Sequence, residues 1–262
     1  MKKKLIFNFY VFPDWLNGEV GKINEIHLRC LKEYIHIFDE VMFVITMDDT
    51  NNIKLINEVK GKILDFFIKG QITIRIEKNT KLREAVTFYK EVVKKLGEDD
   101  LVFFAHNKGI TNIKKDNKES IYYWIYGMYF YCLNFIDDVE SALIGDNGIS
   151  YGAFFAQCKL NKCIKYGWMY SGNFYWLNSK KVKNYMDNNN IAVPPLDNRM
   201  YGEQFIGNIV AMFNPQPFPT TYGKWGFDID VYNPYYQSKE ILKVLYENID
   251  DLEDFINKIG IR

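Results

Sequence analysis

Two kinds of hydrophobic pattern alternate along the first 110 residues. Short, nearly continuous apolar runs are typical of strands buried on both faces, whereas apolar residues three and four apart are typical of covering helices. The predicted strands span 3–12, 40–47, 71–79 and 99–105, and the helices between them span 23–38, 53–68 and 80–97. Thr80 is the expected N-cap of the third helix, and Gly97 its expected end. This alternation predicts an α/β fold with a mostly parallel central sheet flanked by helices.

The second half of the chain is richer in aromatic and turn residues. A helix is predicted over 120–136, a glycine-rich segment over 142–157, and a strand, tight turn, strand and short helix over 164–186. Further helices are predicted from about Met200 and over 238–260. Neither an internal repeat nor a linker is visible. We therefore expect a single domain over 1–262, with one half at about 1–112 and the other at about 113–262.

The composition narrows the class of protein. Lys and Arg equal Asp and Glu, at 33 each, so no overall field favours a nucleic acid as partner. The four cysteines lack the Cys-x-x-Cys spacing of a zinc site, which favours free thiols in a reducing compartment. The longest uncharged run, 121–136, is shorter than a bilayer span, and no signal peptide is evident. We expect a cytoplasmic protein, with peripheral contact at the inner face of a membrane left open.

Polar residues gather where the predicted parallel strands end. Ligands of such sheets bind beyond the carboxyl ends of the strands. The residues at these ends are Tyr10, Val11, Asp48, Asp49, Arg83, His106, Lys108 and Gly109. A carboxylate at Asp48 or Asp49 suits a ribose or a base, and Arg83 suits a phosphate.

The segment His106-Asn-Lys108-Gly109 is the most distinctive of these strand ends. In one interpretation it is a glycine loop with a solvated lysine. In the other it binds an anion, because Lys108 supplies a point charge and Gly109 allows backbone N–H groups to come close. His106 would then donate a hydrogen bond or ligate a metal.

A polar turn flanked by rings is the second feature. Its residues are Trp168, Ser171, Gly172, Asn173, Tyr175 and Trp176. Sugars place CH faces on aromatic rings and pair their hydroxyls with Ser and Asn, so this segment suits a sugar pocket. The alternative is a hairpin turn with core aromatics.

Acidic residues give two candidates for a general base, Glu203 and Asp146. The simpler account of Glu203 is that a carboxylate near a helix N-terminus is electrostatically favoured. The Asp-x-Asp at Asp228 to Asp230 lies far from the strand ends, and we interpret it as a solvated loop. The sequence contains no GxxxxGK[ST], GxGxxG, HExxH or GxSxG motif.

Taken in order, these motifs resemble those of a family of glycosyltransferases from bacterial surface-polysaccharide loci and large DNA viruses. The similar stretches are Phe9–Phe12, His106–Gly109, Trp124–Tyr131, Asp146–Gly148, Ser171–Trp176 and Glu203–Phe205. They extend from about Leu5 to Gly207, and their order is more specific than any one of them. Tyr175 replaces a tryptophan of the family's Ser-Gly-Asn-Phe-Trp-Trp stretch, and the Asp-x-Asp usual at a strand end of GT-A enzymes is missing.

The resemblance implies a GT-A-like, Rossmann-like single domain that acts as a hexosyltransferase-type enzyme in capsule or lipopolysaccharide synthesis. The half at 1–112 would bind a nucleotide-sugar donor, of UDP type rather than GDP type, and the half at 113–262 a glycan acceptor. His106 and Lys108 would act on the diphosphate, with Mn²⁺ or Mg²⁺ or without a metal. Glu203, or else Asp146, would serve as base if the transfer inverts. The alternatives are a carbohydrate-binding protein without catalysis and an α/β phosphotransferase acting on a sugar.

Overall fold

The computed structural model describes residues 1–11, 14–68, 70–107, 118–145, 148–153, 155–157, 168–170, 172–197, 199, 201–211, 221–224 and 249–259. The strands are β1 (Lys2–Val11), β2 (Glu40–Met47), β3 (Ile72–Lys78), β4 (Asp100–His106), β5 (Ser150–Ala153), β6 (Phe155–Gln157), β7 (Trp168–Tyr170), β8 (Tyr175–Asn178) and β9 (Thr221–Lys224). The helices are α1 (Gly18–Tyr34), α2 (Ile53–Leu64), α3 (Glu84–Glu91), α4 (Lys118–Leu133), α5 (Ile136–Glu140), α6 (Ser179–Asn188), α7 (Tyr201–Ala211) and α8 (Ile249–Ile259).

The main sheet has the strand order β3-β2-β1-β4-β8-β5-β9. β1 to β4 are mutually parallel, β8 is antiparallel to both of its neighbours, and β5 pairs in parallel with β9. The predicted mostly parallel sheet is therefore confirmed. After β1 the chain adds β2 and β3 on one side, and then returns to place β4 on the other side. This reversal creates a topological switch point between β1 and β4.

The two faces of the sheet carry separate hydrophobic layers. One layer combines Phe7 and Phe103 with apolar residues of α1, α2, α4 and α8. The other combines Phe104 and Leu177 with α3, α6 and α7. Each buried side chain of this size contributes about 1.5–3 kcal/mol relative to its exposed state, so the central strands hold the edge residues on a rigid frame.

The helix predicted over 80–97 is shorter than expected. Thr80 is not its N-cap, because its hydroxyl accepts from the Leu82 N–H at 3.2 Å within a turn that precedes the helix. α3 begins only at Glu84, with Arg83 at the N-cap, and a 3-10 turn follows it over Val93–Lys95. α1, in contrast, begins at Gly18 rather than Ile23, since two early glycines make its first turn look like a loop in the sequence.

The predicted strand–turn–strand over 164–186 is not a hairpin. β7 pairs with β6 in a small two-stranded sheet, whereas β8 enters the main sheet between β4 and β5. The turn at Gly172 and Asn173 thus passes the chain from the small sheet to the carboxyl edge of the main sheet. Of the predicted helix over 238–260, the part before Ile249 lies outside the described residues. None of the helices described is both long and apolar enough to cross a membrane.

Candidate functional site at the carboxyl edge of the sheet

The switch point between β1 and β4 is the expected ligand crevice. Tyr10 lies near the end of β1, and Asn107 follows directly after β4. The Asn107 side chain bridges the two strands, because its Oδ1 accepts from the Tyr10 N–H at 2.8 Å and its Nδ2 donates to the Tyr10 carbonyl at 2.9 Å. The backbone of Tyr10 is therefore held firmly at the floor of the crevice.

Tyr10, Asp48, Asn79 and Arg83 form a group that we call the Tyr10 cluster. Asn79 Nδ2 donates to Asp48 Oδ1 at 2.7 Å, and the Tyr10 hydroxyl lies 3.5 Å from Asp48 Oδ2. The Arg83 guanidinium lies over the Tyr10 ring, 5.9 Å from its centre. The ends of three neighbouring strands and the start of α3 thus bring together a ring, a carboxylate and a guanidinium.

The two charged groups of the Tyr10 cluster shift the pKa of the Tyr10 phenol in opposite directions. Partial burial raises the pKa of Tyr10, the Asp48 carboxylate raises it further, and Arg83 opposes the shift. The phenol therefore stays protonated at neutral pH and can donate a hydrogen bond. The carboxylate side of the cluster suits hydroxyl donors, and the guanidinium side suits a phosphate.

Arg83 has an unusual backbone conformation, with φ 50° and ψ −131°. This region is favoured by glycine, and holding another residue there costs about 1–3 kcal/mol. Its N–H donates to the Thr80 carbonyl at 3.1 Å, so the turn before α3 enforces the conformation. Strain of this kind is concentrated at ligand sites, which agrees with the position of Arg83 at the carboxyl edge.

A hydrogen bond joins the two most distinctive motifs of the sequence. His106 Nε2 donates to the Gly172 carbonyl at 3.0 Å, and the buried imidazole packs near the Phe174 ring. Because a carbonyl only accepts, Nε2 carries a proton in this arrangement. The strand end and the Ser-Gly-Asn turn, 66 residues apart in sequence, are thus in direct contact.

The turn before β8 depends on two left-handed residues. Gly172 has φ +95° and Asn173 has φ +61°, and the Asn173 N–H donates to the Tyr170 carbonyl at 3.3 Å. A Cβ added at Gly172 would lie 2.5 Å from Met128 Sδ on α4. Glycine is required at this position both by backbone conformation and by space.

Asn173 is fully buried between this turn and the start of α7. A Cβ added at Gly202 would lie 2.5 Å from Asn173 Nδ2, so the amide rests directly on the helix backbone. Asn173 Oδ1 is buried and makes no hydrogen bond in the structure. A buried acceptor in this state costs about 1–3 kcal/mol, which makes it a candidate partner for a ligand hydroxyl.

Glu203 lies in the first turn of α7 and is only 3% exposed. The helix N-terminus stabilises a carboxylate at this position. Glu203 also follows Gly202, on which the Asn173 amide rests, so the predicted base is placed beside the predicted sugar pocket. Its role as a base stays a prediction.

Two rings predicted to contact sugar lie in the core. Tyr175 and Trp176 are fully buried in β8. The Tyr175 hydroxyl donates to the Gly202 carbonyl at 2.8 Å, and Trp176 Nε1 donates to the Cys132 carbonyl at 2.7 Å. The prediction that these rings present a face to a sugar is wrong, because residues that alternate along a central strand fill the two core layers.

Two further residues that were predicted to bind the nucleotide-sugar donor have local structural roles. Val11 is buried in the hydrophobic layer of α1, so only its backbone lies at the carboxyl edge. Asp49 Oδ1 accepts from the Asn51 N–H at 2.9 Å and shapes the turn before α2. Their contacts with a donor stay predictions.

Several predicted site residues lie outside the described residues. These are Lys108, Gly109, Asp146 and Ser171. The Asp-x-Asp at Asp228 to Asp230, interpreted above as a solvated loop, also lies outside the described residues. Trp168 lies in β7, and a sugar contact by its side chain stays a prediction.

Asparagines are the residues that the sequence reasoning missed. Asn79 and Asn107 hold the Tyr10 cluster as described above. Asn24 of α1 accepts from Asn107 Nδ2 at 2.9 Å. Asn8 donates to the Thr46 hydroxyl at 2.6 Å and anchors β1 to β2. Of these asparagines, only Asn8 could have been found from the sequence, because it is a polar residue inside an otherwise apolar strand.

A cleft of about 260 Å³ lies at the opposite, amino edge of the sheet. Its charged lining centres on Lys4, whose Nζ lies 2.6 Å from Asp100, 3.1 Å from Glu98 and 3.6 Å from Glu40. The Lys2 ammonium also lies 2.6 Å from Glu40, and we interpret these groups as an ion network at the amino edge of the sheet. Within the described ranges, no group of three or more His, Cys, Asp or Glu is arranged to hold a metal ion.

Comparison with solved structures gives likenesses of overall fold. The chain is similar to the crystal structure of 4-diphosphocytidyl-2C-methyl-D-erythritol synthase from Anaerococcus prevotii, with 10% identity, a TM-score of 0.42, and coverage of 97% of this chain and 96% of that chain. A likeness this distant carries no argument about activity. No family model and no curated protein matches the chain.

Proposed function

We propose that the chain is a glycosyltransferase that moves a sugar from a nucleotide-sugar donor to a carbohydrate acceptor in surface-glycan synthesis. The observation that carries the proposal is the hydrogen bond from His106 to Gly172 at the switch point, beside the strand ends that form the Tyr10 cluster. It brings the turn suited to a sugar to the edge suited to a nucleotide.

The donor would lie across the carboxyl edge of the parallel strands. The Asp48 carboxylate would accept from the ribose hydroxyls, and the exposed part of the Tyr10 ring would contact the base. The guanidinium of Arg83, which lies over the Tyr10 ring, would meet the diphosphate. Lys108, two residues beyond His106, would add a second positive charge. We propose a donor of the UDP type.

The reaction breaks the bond between the anomeric carbon and the diphosphate oxygen, and forms a bond to an acceptor hydroxyl oxygen. Negative charge develops on the leaving diphosphate, which Arg83 and Lys108 would offset. In an inverting transfer the acceptor proton passes to a base, for which Glu203 is the first candidate and Asp146 the second. A bound Mn²⁺ or Mg²⁺ would supply further positive charge at the diphosphate.

The proposal is tested by the thermal stability of the protein with UDP, GDP and their sugar conjugates, each with and without Mn²⁺. A ligand that binds the native state raises the melting temperature with its affinity. We expect a rise with UDP and with a UDP-sugar. Lys108→Ala should reduce this rise, whereas the exposed lysine variant Lys54→Ala should not. If no nucleotide or nucleotide sugar raises the melting temperature and a glycan alone does, a carbohydrate-binding function would replace the proposal.

Turnover is the second measurement. Release of UDP from a UDP-sugar should require a glycan acceptor and should fall in Glu203→Gln, which keeps the size of the side chain. Transfer of phosphate to the sugar in place of glycosyl transfer would indicate a phosphotransferase.

A further inference from the structure

We propose that Asn107 is a positioning residue for the nucleotide site, since its side chain completes the hydrogen-bond ladder that holds Tyr10. This inference rests on the proposed function. Asn107 occupies the unspecified position of the His-x-Lys-Gly motif, so the motif itself gives no role to it.

At Asn107, the hydrogen-bond ladder between β1 and β4 changes from main-chain bonds to side-chain bonds. The Asn107 N–H donates to the Asn8 carbonyl at 3.1 Å, as expected for a main-chain step of a parallel pair. In the next step of such a ladder, the Tyr10 N–H would donate to the main-chain carbonyl of Asn107. It donates to Asn107 Oδ1 instead, at 2.8 Å, while Asn107 Nδ2 returns a hydrogen bond to the Tyr10 carbonyl at 2.9 Å.

The side chain of Asn107 extends the hydrogen bonding of β1 beyond the last main-chain pair of β4. The main-chain pairing of β1 with β4 is described as far as Asn8 and His106, and the next hydrogen bonds to β1 come from the Asn107 side chain. Without the amide, the Tyr10 N–H would lose the acceptor that it has in the structure. With the amide in place, the Tyr10 backbone stays in register although its neighbouring strand has ended.

The same amide reaches a third element. Asn107 Nδ2 donates to Asn24 Oδ1 at 2.9 Å, and Asn24 Nδ2 donates to the Trp15 carbonyl at 3.0 Å. Asn24 and Asn107 are each 1% exposed, so these bonds are formed away from water. The two asparagines therefore tie the end of β1, the following loop and α1 to the end of β4.

Only asparagine satisfies all of these partners. Asn107→Asp would keep an acceptor for the Tyr10 N–H, but it would turn a second oxygen toward the Tyr10 carbonyl and Asn24 Oδ1. Asn107→Ala would remove both the donor and the acceptor. In either variant the Tyr10 ring would lose its fixed place relative to Asp48 and Arg83, and preorganisation of this kind is what precise binding sites require.

The test compares UDP binding by calorimetry in the wild type, Asn107→Asp, Asn107→Ala and a matched control. Asn178→Ala is the control, because Asn178 is equally buried, makes three side-chain hydrogen bonds and lies in the stretch of β8 nearest the amino edge. We expect both Asn107 variants to weaken UDP binding about tenfold or more, as misplacement of a binding group does. The control should lower the melting temperature to a similar degree and leave the affinity for UDP unchanged.

A second readout needs no nucleotide. With the tyrosine rings isotopically labelled, the pKa of Tyr10 can be followed by NMR, and Tyr10→Phe assigns its signal. We expect Asn107→Ala to move this pKa toward the ordinary value of tyrosine, because the hydroxyl is released from Asp48 and from its partly buried position.

The outcomes separate the two proposals. An unchanged affinity for UDP and an unchanged pKa of Tyr10 in the Asn107 variants would overturn the positioning role and leave the proposed function intact. A wild-type protein that binds no nucleotide would overturn the proposed function and the nucleotide role of Asn107 with it. The pKa of Tyr10 would then still decide whether Asn107 holds the ring.

Discussion

His106 Nε2 donates to the carbonyl oxygen of Gly172 at 3.0 Å, and the two groups come from opposite halves of the chain. The imidazole ends a parallel strand, and the carbonyl belongs to the turn that introduces the antiparallel strand β8. Because the pair is buried, residues of both halves of the chain form the crevice at the switch point. The first prediction tests this link.

Replacement His106→Ala should lower the free energy of unfolding by about 1–3 kcal/mol, because the buried Gly172 carbonyl would lose its donor. His106→Gln should recover part of the loss, since its amide nitrogen can reach the same carbonyl. Urea unfolding of the three proteins measures the difference. A stability of His106→Ala equal to that of the wild type would show that the bond contributes nothing.

Replacement Arg83→Gly should stabilise the fold and weaken the binding of UDP. Glycine accepts the backbone conformation of Arg83 without strain, which should raise the free energy of unfolding by about 1 kcal/mol. The guanidinium that faces the diphosphate in our proposal is lost at the same time. Urea unfolding and calorimetry with UDP measure the two effects separately.

Asn190→Gly is the matched control for Arg83. Asn190 also has a positive φ, 53°, but it is an exposed residue that follows α6. We expect a small gain of stability without a change in UDP affinity. Equal UDP affinities in wild type, Arg83→Gly and Asn190→Gly would remove Arg83 from the site.

Replacement Gly172→Ala should be strongly destabilising, by about 2–4 kcal/mol, since it adds left-handed strain to a close contact with Met128. Met128→Ala opens space on α4 and is destabilising on its own. The double variant should lose less stability than the sum of the two single variants. Strict additivity would contradict the close packing of the turn on α4.

Replacement Asn173→Gly should keep the stability of the fold and weaken the binding of the sugar. Glycine tolerates the φ of +61° at this position, and the buried oxygen that makes no hydrogen bond is removed. We expect an unchanged affinity for UDP and a reduced affinity for the UDP-sugar that the wild type binds. A parallel loss for both ligands would place Asn173 away from the sugar.

Stability in acid should depend on Lys4. A hydrogen bond from Lys4 lowers the pKa of Glu98 below its ordinary value of 4.5, so the unfolded chain binds more protons in acid than the native protein does. The contribution of Glu98 is therefore complete above pH 4.5 and is lost as the pH falls through the lowered pKa. We expect Lys4→Met to lose less free energy of unfolding between about pH 7 and pH 3 than the wild type does, as measured with urea.

The sequence predicted the parallel half of the fold because its signals are local. Apolar runs such as Leu101–Ala105 and helices with periodic apolar positions specify buried strands and their covers without reference to distant residues. The strand ends followed from this frame, and so the positions of Tyr10, Asp48 and His106 at one edge were foreseeable.

What could not be predicted depends on long-range pairing. The alternation around Gly172 looked like a hairpin, and only the pairing of β8 with β4 shows that Tyr175 and Trp176 enter the core. Asparagine side chains that replace main-chain partners, such as Asn107, leave no periodic signal. The backbone of Arg83 is set by a turn whose residues are compatible with a helix.

The central place of β1 has a consequence for the order in which the chain folds. Tyr10 and Asn107 are 97 residues apart in sequence, and their contact closes the middle of the sheet. Such distant contacts form late, because a long loop must be closed before they stabilise anything. In a chain growing on a ribosome, one edge of β1 would stay unpaired until β4 emerged. The crevice at the switch point would thus be among the last parts of this half to form, and under our proposal a partly synthesised chain would be unable to bind nucleotide.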